Sequence, residues 1–196
     1  MLDWLLEKAE PFIKWQGSLH MPWTHKKITG VHYYKYRKQI QPGTVLLATT
    51  YGEISNLFNP AKIKHAAIYM GVCPEGIEWA FESTGKGTIK KDLVTFATTK
   101  DVIIALEPTF LTQLERKLVY HTCKELLGLP YDYRFNSDDE ALYCFEAVIA
   151  VLDRLRPGLS FKESKILGKK KIYDHNTFLK DANKFTILFD SRGQDE

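Results

Sequence analysis

The alternation of apolar and polar positions divides this chain into a block of short strands bracketed by helices. Thr44-Val45-Leu46-Leu47-Ala48-Thr49 is apolar, rich in β-branched residues and preceded by the turn pair Pro42-Gly43, which predicts a buried strand. Further strands are predicted at 65–71, 77–82 and 102–107, and Val72-Cys73-Pro74-Glu75-Gly76 suits a hairpin connection between the first two. Gly85 and Gly87 mark a turn, and 91–97 reads as a short helix. Leu114, Leu118, Val119, Cys123 and Leu127 recur at helical spacing; Thr112 and Glu115 form a capping pair before them, and Gly128 and Pro130 stop the helix. A second strong helix is predicted over 140–155, apolar at Ala141, Leu142, Phe145, Val148, Ile149 and Leu152 and ended by Pro157-Gly158. Phe185-Thr186-Ile187-Leu188-Phe189 reads as a closing strand. Strands in a block flanked by helices imply an α+β domain with a mainly antiparallel sheet.

Upstream of Pro42 the pattern is looser. Residues 2–15 place Leu2, Leu5, Leu6, Ala9, Phe12, Ile13 and Trp15 near helical spacing, interrupted by Pro11. Residues 16–40 read as an aromatic, basic loop with His20, His25 and His32, whose spacing fits no common zinc pattern. The expected organisation is one domain: residues 1–41 form a helix and loop packed on the body, and 42–196 form the catalytic body. Trp4, Trp15 and Trp23 also suit peripheral contact with a membrane surface, although Asp3, Glu7 and Glu10 oppose an anionic one.

Composition narrows the class only modestly. The 196 residues are 44% hydrophobic and 26% charged, ordinary for a globular protein, and a formal charge of +3 does not by itself imply nucleic acid. The basic clusters Lys35, Arg37, Lys38 and Lys169, Lys170, Lys171 carry no recognition motif. Cys73, Cys123 and Cys144 cannot all pair, and no metal-ligand spacing or cofactor motif accompanies them; neither metal nor cofactor is expected. No apolar stretch approaches spanning length, and the acidic N-terminus does not read as a signal peptide. The expected compartment is the cytoplasm, and a viral or phage source is compatible with the same features.

The candidate chemistry lies in His65, Glu82 and Cys144. A thiol attacks a carbonyl near neutral pH when its pKa is lowered and a base stands beside it. Asp138 and Asp139 are placed to cap the helix carrying Cys144, which then sits about one turn inside. His65 begins an apolar strand. If 65–71 and 77–82 pair through the 71–76 turn, His65 falls opposite Glu82, with Cβ atoms about 5 Å apart. A carboxylate there orients and charges an imidazole. Residue types alone also admit a buried inert Cys, a structural His and a solvated Glu.

At these residues the chain resembles the YiiX-like permuted papain-fold amidases, relatives of the NlpC-type cysteine peptidases. The resemblance runs from about Pro42 to about Asp190. Its pieces are Pro42-Gly43-Thr44-Val45-Leu46-Leu47, His65-Ala66-Ala67-Ile68-Tyr69, Phe81-Glu82-Ser83 with Gly85 and Gly87, Gly128-Leu129-Pro130-Tyr131-Asp132 with Phe135, and Tyr143-Cys144-Phe145-Glu146. The order His, acid, Cys is the permuted one. The resemblance implies a circularly permuted papain-like fold with Cys144 as nucleophile, His65 as base and Glu82 as the orienting residue. It also implies Tyr131 as a substrate or oxyanion contact. Phe145 stands where that family commonly has Ser, which leaves the pocket's shape open. The implied activity is amide hydrolysis in a peptide or peptidoglycan-like substrate. A lipid or acyl thioesterase or acyltransferase using the same three residues is the alternative, slightly favoured by Phe145 and the apolar N-terminal segment. A non-catalytic binding module that keeps the fold is the third reading.

Overall fold

The computed structural model describes residues 28–51, 63–135, 140–163, 165–167 and 170–193. The helix predicted at 2–15, residues 16–27 of the loop after it, the segment 52–62 and the capping candidates Asp138 and Asp139 lie outside the described residues.

Six strands form one antiparallel sheet: β1 (Val45–Thr49), β2 (His65–Val72), β3 (Glu78–Thr84), β4 (Gly87–Asp92), β5 (Val102–Pro108) and β8 (Phe185–Asp190). Their spatial order is β4-β3-β2-β1-β5-β8. Every residue of β1 is buried, because the central strand is covered on both faces and has no solvated side to alternate with. Val45 and Leu47 join Ala66, Ile68, Phe81 and Ile104 in one core; Leu46 and Ala48 join Ala67, Ala80, Ile103 and Ala105 in another. Burial of each such Val, Leu, Ile or Phe contributes roughly 1.5–3 kcal/mol, so both faces must be covered.

The first core is roofed by α3 (Gln113–Glu125) and α4 (Cys144–Leu155), the second by α1 (Gly30–Arg37) and α2 (Leu93–Thr98). The antiparallel α+β architecture and its main strands follow the hydrophobic pattern. The Thr112–Glu115 capping box is formed as expected, with the Thr112 amide donating to Glu115 at 2.6 Å.

Several elements differ from the pattern's expectation. Within the stretch expected to be loop, α1 forms with Thr29 as its cap, and Tyr36 is its one buried residue. Residues 87–92, expected to be turn and helix start, form β4. Thr88-Ile89-Lys90-Lys91-Asp92 is polar because β4 is a sheet edge, where charged side chains guard unpaired backbone groups. A small hairpin, β6 (Lys165–Leu167) with β7 (Lys170–Ile172), and a short helix, α5 (His175–Leu179), also lie in a polar stretch with little periodicity. Helix α4 begins at Cys144 rather than at 140.

A buried polar cluster ties the start of the sheet to α3. Arg116, 5% exposed, donates to the carbonyls of Pro42 (2.9 Å) and Pro108 (3.0 Å) and pairs with Glu107. Gln41 and Thr44 donate to the same carboxylate, each at 3.3 Å. Gly43, at φ 95°, permits the turn, and a side chain there would lie 2.7 Å from Leu111.

Candidate active site

His65 and Glu82 meet, although not through the expected register. Glu82 pairs with Ala67, Phe81 with Ile68 and Ala80 with Tyr69; an irregularity between Tyr69 and Gly71 then shifts the pairing by one. His65 is therefore two residues from the position opposite Glu82. An offset of two preserves the face of the sheet, whereas an offset of one would reverse it. Both side chains are long enough to close the diagonal, and Nε2 of His65 lies 2.6 Å from Oε2 of Glu82. The irregularity lies at Gly71, whose φ of 96° suits glycine.

Cys144 approaches from the other side. It is the first residue of α4, closer to the helix start than expected, and is 5% exposed. Tyr143 is the cap residue; its side chain makes no capping bond, and its amide donates to Glu146 at 3.4 Å. The preceding segment is gripped twice: Ser83 donates to the carbonyl of Leu142 at 2.5 Å, and the Leu142 amide donates to that of Pro130 at 3.0 Å. The Cys144 thiol donates to the Lys64 carbonyl at 3.8 Å and lies close enough to the His65 ring to bear on its protonation. Since Nε2 serves Glu82, Nδ1 is the ring nitrogen left to exchange a proton with the thiol.

Glu82 and Ser83 thus act in opposite directions from adjacent positions on β3. Glu82 projects to the α1/α2 face and holds the imidazole; Ser83 projects to the α3/α4 face and holds the turn before Cys144.

Electrostatics follow this packing. Burial and the charge of Lys100 push His65 down, but hydrogen bonds with Cys144 and Glu82 and the Glu82 charge outweigh them, so its pKa is raised. Burial pushes Glu82 up, yet the His65 hydrogen bond and the charges of His65, Lys100 and Lys91 hold it well below the usual carboxylate range. With Glu82 ionised, Nε2 carries the proton and donates, leaving Nδ1 free to accept.

Tyr131 is half-buried beside the thiol, its ring centroid 4.8 Å from that of Tyr133. Burial, then the proximity of Cys144 and Tyr133, raises its pKa well above the ordinary tyrosine value. Its segment is fastened to β4: the Thr88 amide donates to Leu129 (2.8 Å), the Thr88 hydroxyl to Leu126 (2.5 Å), and the Leu129 amide to that hydroxyl (2.9 Å).

Phe145 packs inward from the first turn of α4. It is 7% exposed, and its ring lies 6.3 Å from Phe178 in the core beneath α4. Cys73 and Cys123 are buried and free, and burial alone raises the Cys123 thiol. His32, one of the three upstream histidines, helps cap α1: the Thr29 amide donates to its Nδ1 at 3.2 Å. Among the described residues, no group of three or more His, Cys, Asp or Glu side chains is placed to hold a metal ion. Sequence reasoning gave no role to Ser83, Lys91 or Lys100. For Lys91 no signal was at hand, because β4, the strand that bears it, does not stand out in the hydrophobic pattern.

Residues 39–187 match the model of the permuted papain-like amidases, the YaeF/YiiX or C92 family. The chain belongs to this family. Among solved structures, a crystal structure described as the metalloprotein yiiX from Escherichia coli O157:H7 superposes with a TM-score of 0.62 at 16% identity, covering 77% of this chain and 97% of that one. That likeness carries the permuted fold; the description as a metalloprotein belongs to that protein. None of the curated proteins matches. Membership in the C92 family makes the protein a papain-like cysteine hydrolase of amidase type. It also accounts for the chain order in which the strand with His65 precedes the helix with Cys144.

Proposed function

We propose that the protein cleaves an amide bond, in a peptide or peptidoglycan-like substrate, through an acyl-enzyme on Cys144. The supporting observation is the placement of one imidazole with a buried carboxylate 2.6 Å from Nε2 and with the Cys144 thiol, held at the carbonyl of the preceding residue Lys64, close enough to bear on its protonation. His65 Nδ1 takes the Sγ proton, and the thiolate attacks the amide carbonyl carbon. The C–N bond breaks as the imidazolium returns that proton to the leaving amine. A water then attacks the thioester, its proton passing to His65; the acid leaves, and Sγ regains the proton. Glu82 keeps Nε2 protonated and the ring oriented throughout. Tyr131, beside the thiol, contacts the substrate or the developing oxyanion. Phe145, once a reason to favour an acyl-chain substrate, sits in the core and gives that reading no support.

An electrophilic thiol probe tests the proposal. Wild-type protein labels at Cys144, and Cys144→Ala abolishes labelling while the fold is kept. Undiminished labelling of Cys144→Ala, together with loss in Cys73→Ala, would overturn the assignment. Mass spectrometry of the adduct trapped on Cys144 in cell extract reads the substrate class. A peptide fragment supports the amide reading and an acyl chain refutes it.

A further inference from the structure

Glu82 has a fully enclosed side chain, and a carboxylate there needs charge or hydrogen bonds for both oxygens. His65 occupies only Oε2. Oε1 receives no directed hydrogen bond among the described residues, yet Nζ of Lys91 stands 2.8 Å from it. The contact is therefore one of charge against charge. Register explains its origin: on β4, Ile89 lies opposite Glu82 and Lys91 opposite Ala80. Lys91 thus reaches Glu82 along the β3–β4 diagonal, as His65 does along the β2–β3 diagonal. Its neighbour Lys90 turns to the other face and lies over the Trp79 ring, 4.2 Å from its centroid. Imidazole, carboxylate and ammonium form one row across three strands.

We propose that Lys91 is a positioning residue: it holds Oε1 of Glu82 so that Oε2 stays aimed at Nε2 of His65. The inference rests on the site proposed above. The charged or titratable groups bearing on Glu82 are His65 from β2, Lys91 from β4 and Lys100 from the turn before β5, while Cys144 from α4 bears on His65. Without Lys91 the carboxylate is held from one side only; it rotates, and its support of the imidazolium weakens. A lysine acting merely as a nearby positive charge has the opposite signature, since removing that charge makes His65 easier to protonate.

The sign separates the two roles. His65 is followed by NMR of ring-labelled histidine across pH in wild type, Lys91→Met and Lys91→Arg. Alkylation of Cys144 by iodoacetamide is timed in the same proteins. Lys91→Met is expected to move the His65 titration to lower pH and slow Cys144 alkylation about tenfold near neutrality; Lys91→Arg is expected to restore both. A His65 titration that moves up or stays put in Lys91→Met overturns the inference. So does a fall in Tm with alkylation unchanged, or a failure of Lys91→Arg to restore. Wild-type protein that alkylates Cys73 or Cys123 as fast as Cys144 overturns the site itself, a result visible without any Lys91 variant.

Discussion

A buried imidazole–carboxylate pair leaves a signature in both chemistry and stability, and the two need not scale together. In the proposed mechanism His65 moves protons, whereas Glu82 only orients and charges it. His65→Ala should therefore slow acylation of Cys144 by about 1,000-fold, and Glu82→Gln by about 10- to 100-fold. Equal or reversed losses in single-turnover labelling would assign Glu82 a different role. Stability has its own sign. His65 is raised, so its contribution is fully present below the ordinary histidine value of about 6.5 and is lost as pH rises through the raised one. Glu82 is depressed, so its contribution is present above the ordinary glutamate value of about 4.3 and is lost only as pH falls through the much lower folded one. The pair stabilises most between these ordinary values. The Tm difference between wild type and His65→Ala should be largest near pH 5–6 and shrink on the alkaline side, as differential scanning calorimetry across pH would read. A difference that grows with pH contradicts the assigned shift of His65.

At the scale of elements, β3 relates nucleophile to base, because consecutive side chains on a strand serve opposite faces. Ser83→Ala leaves the buried Leu142 carbonyl without that donor, a loss of about 1–2 kcal/mol. It should also slow Cys144 alkylation, because the turn before α4 loses one of its two grips. Ser83→Thr, which keeps the hydroxyl, should recover alkylation even if the added methyl lowers Tm. At the β3–β4 turn, Gly87 has φ 92°, and a Cβ there would lie 2.3 Å from the Leu129 carbonyl. Gly87→Ala is expected to cost about 1–3 kcal/mol or more, measurable by urea unfolding, and to displace the segment carrying Tyr131. These elements also show why the sequence was legible in some places and opaque in others. β1, β2, β5 and α3 announce themselves because burial imposes period or apolar runs. β4 does not, since an edge strand tolerates Lys90 and Lys91, and α1 does not, since Tyr36 alone is buried. The His65–Glu82 contact was visible in parity but misplaced in register: the turn pairs Val72 with Glu78 rather than Gly71 with Gly76, and the one-residue shift between Tyr69 and Gly71, which carries no strong sequence mark, restores the expected face. Lys91 lay hidden with the strand that bears it.

The whole molecule places its candidate nucleophile and base on opposite faces of one sheet, which meet where β2 begins. The face bearing His65 and Glu82 is closed by α1 and α2, so the docking of α1 also shapes the body of the protein. One carboxylate organises much of that docking. Glu78, on the same face of β3 as Glu82, accepts from Tyr69 (2.6 Å) and Tyr33 (3.2 Å) and pairs with Arg37. Burial pushes Glu78 up, but Arg37 and the two tyrosines outweigh it and leave its pKa lowered. Tyr36, fully buried between them, contributes differently: its hydroxyl has no hydrogen-bond partner among the described residues. The two therefore predict opposite outcomes. Glu78→Ala strands two tyrosine hydroxyls and a guanidinium, and should lower stability by about 2 kcal/mol and speed amide exchange across 30–37. Tyr36→Phe removes an unsatisfied polar atom and keeps the ring, so it should be neutral or stabilising by up to about 1 kcal/mol. Glu78 lies four residues along β3 from Glu82, about 13 Å away at strand rise, beyond direct contact with His65. Cys144 should therefore alkylate at the wild-type rate in Glu78→Ala under native conditions, even as α1 exchanges faster. A parallel loss of alkylation would mean that α1 holds the imidazole in place as well as covering the core.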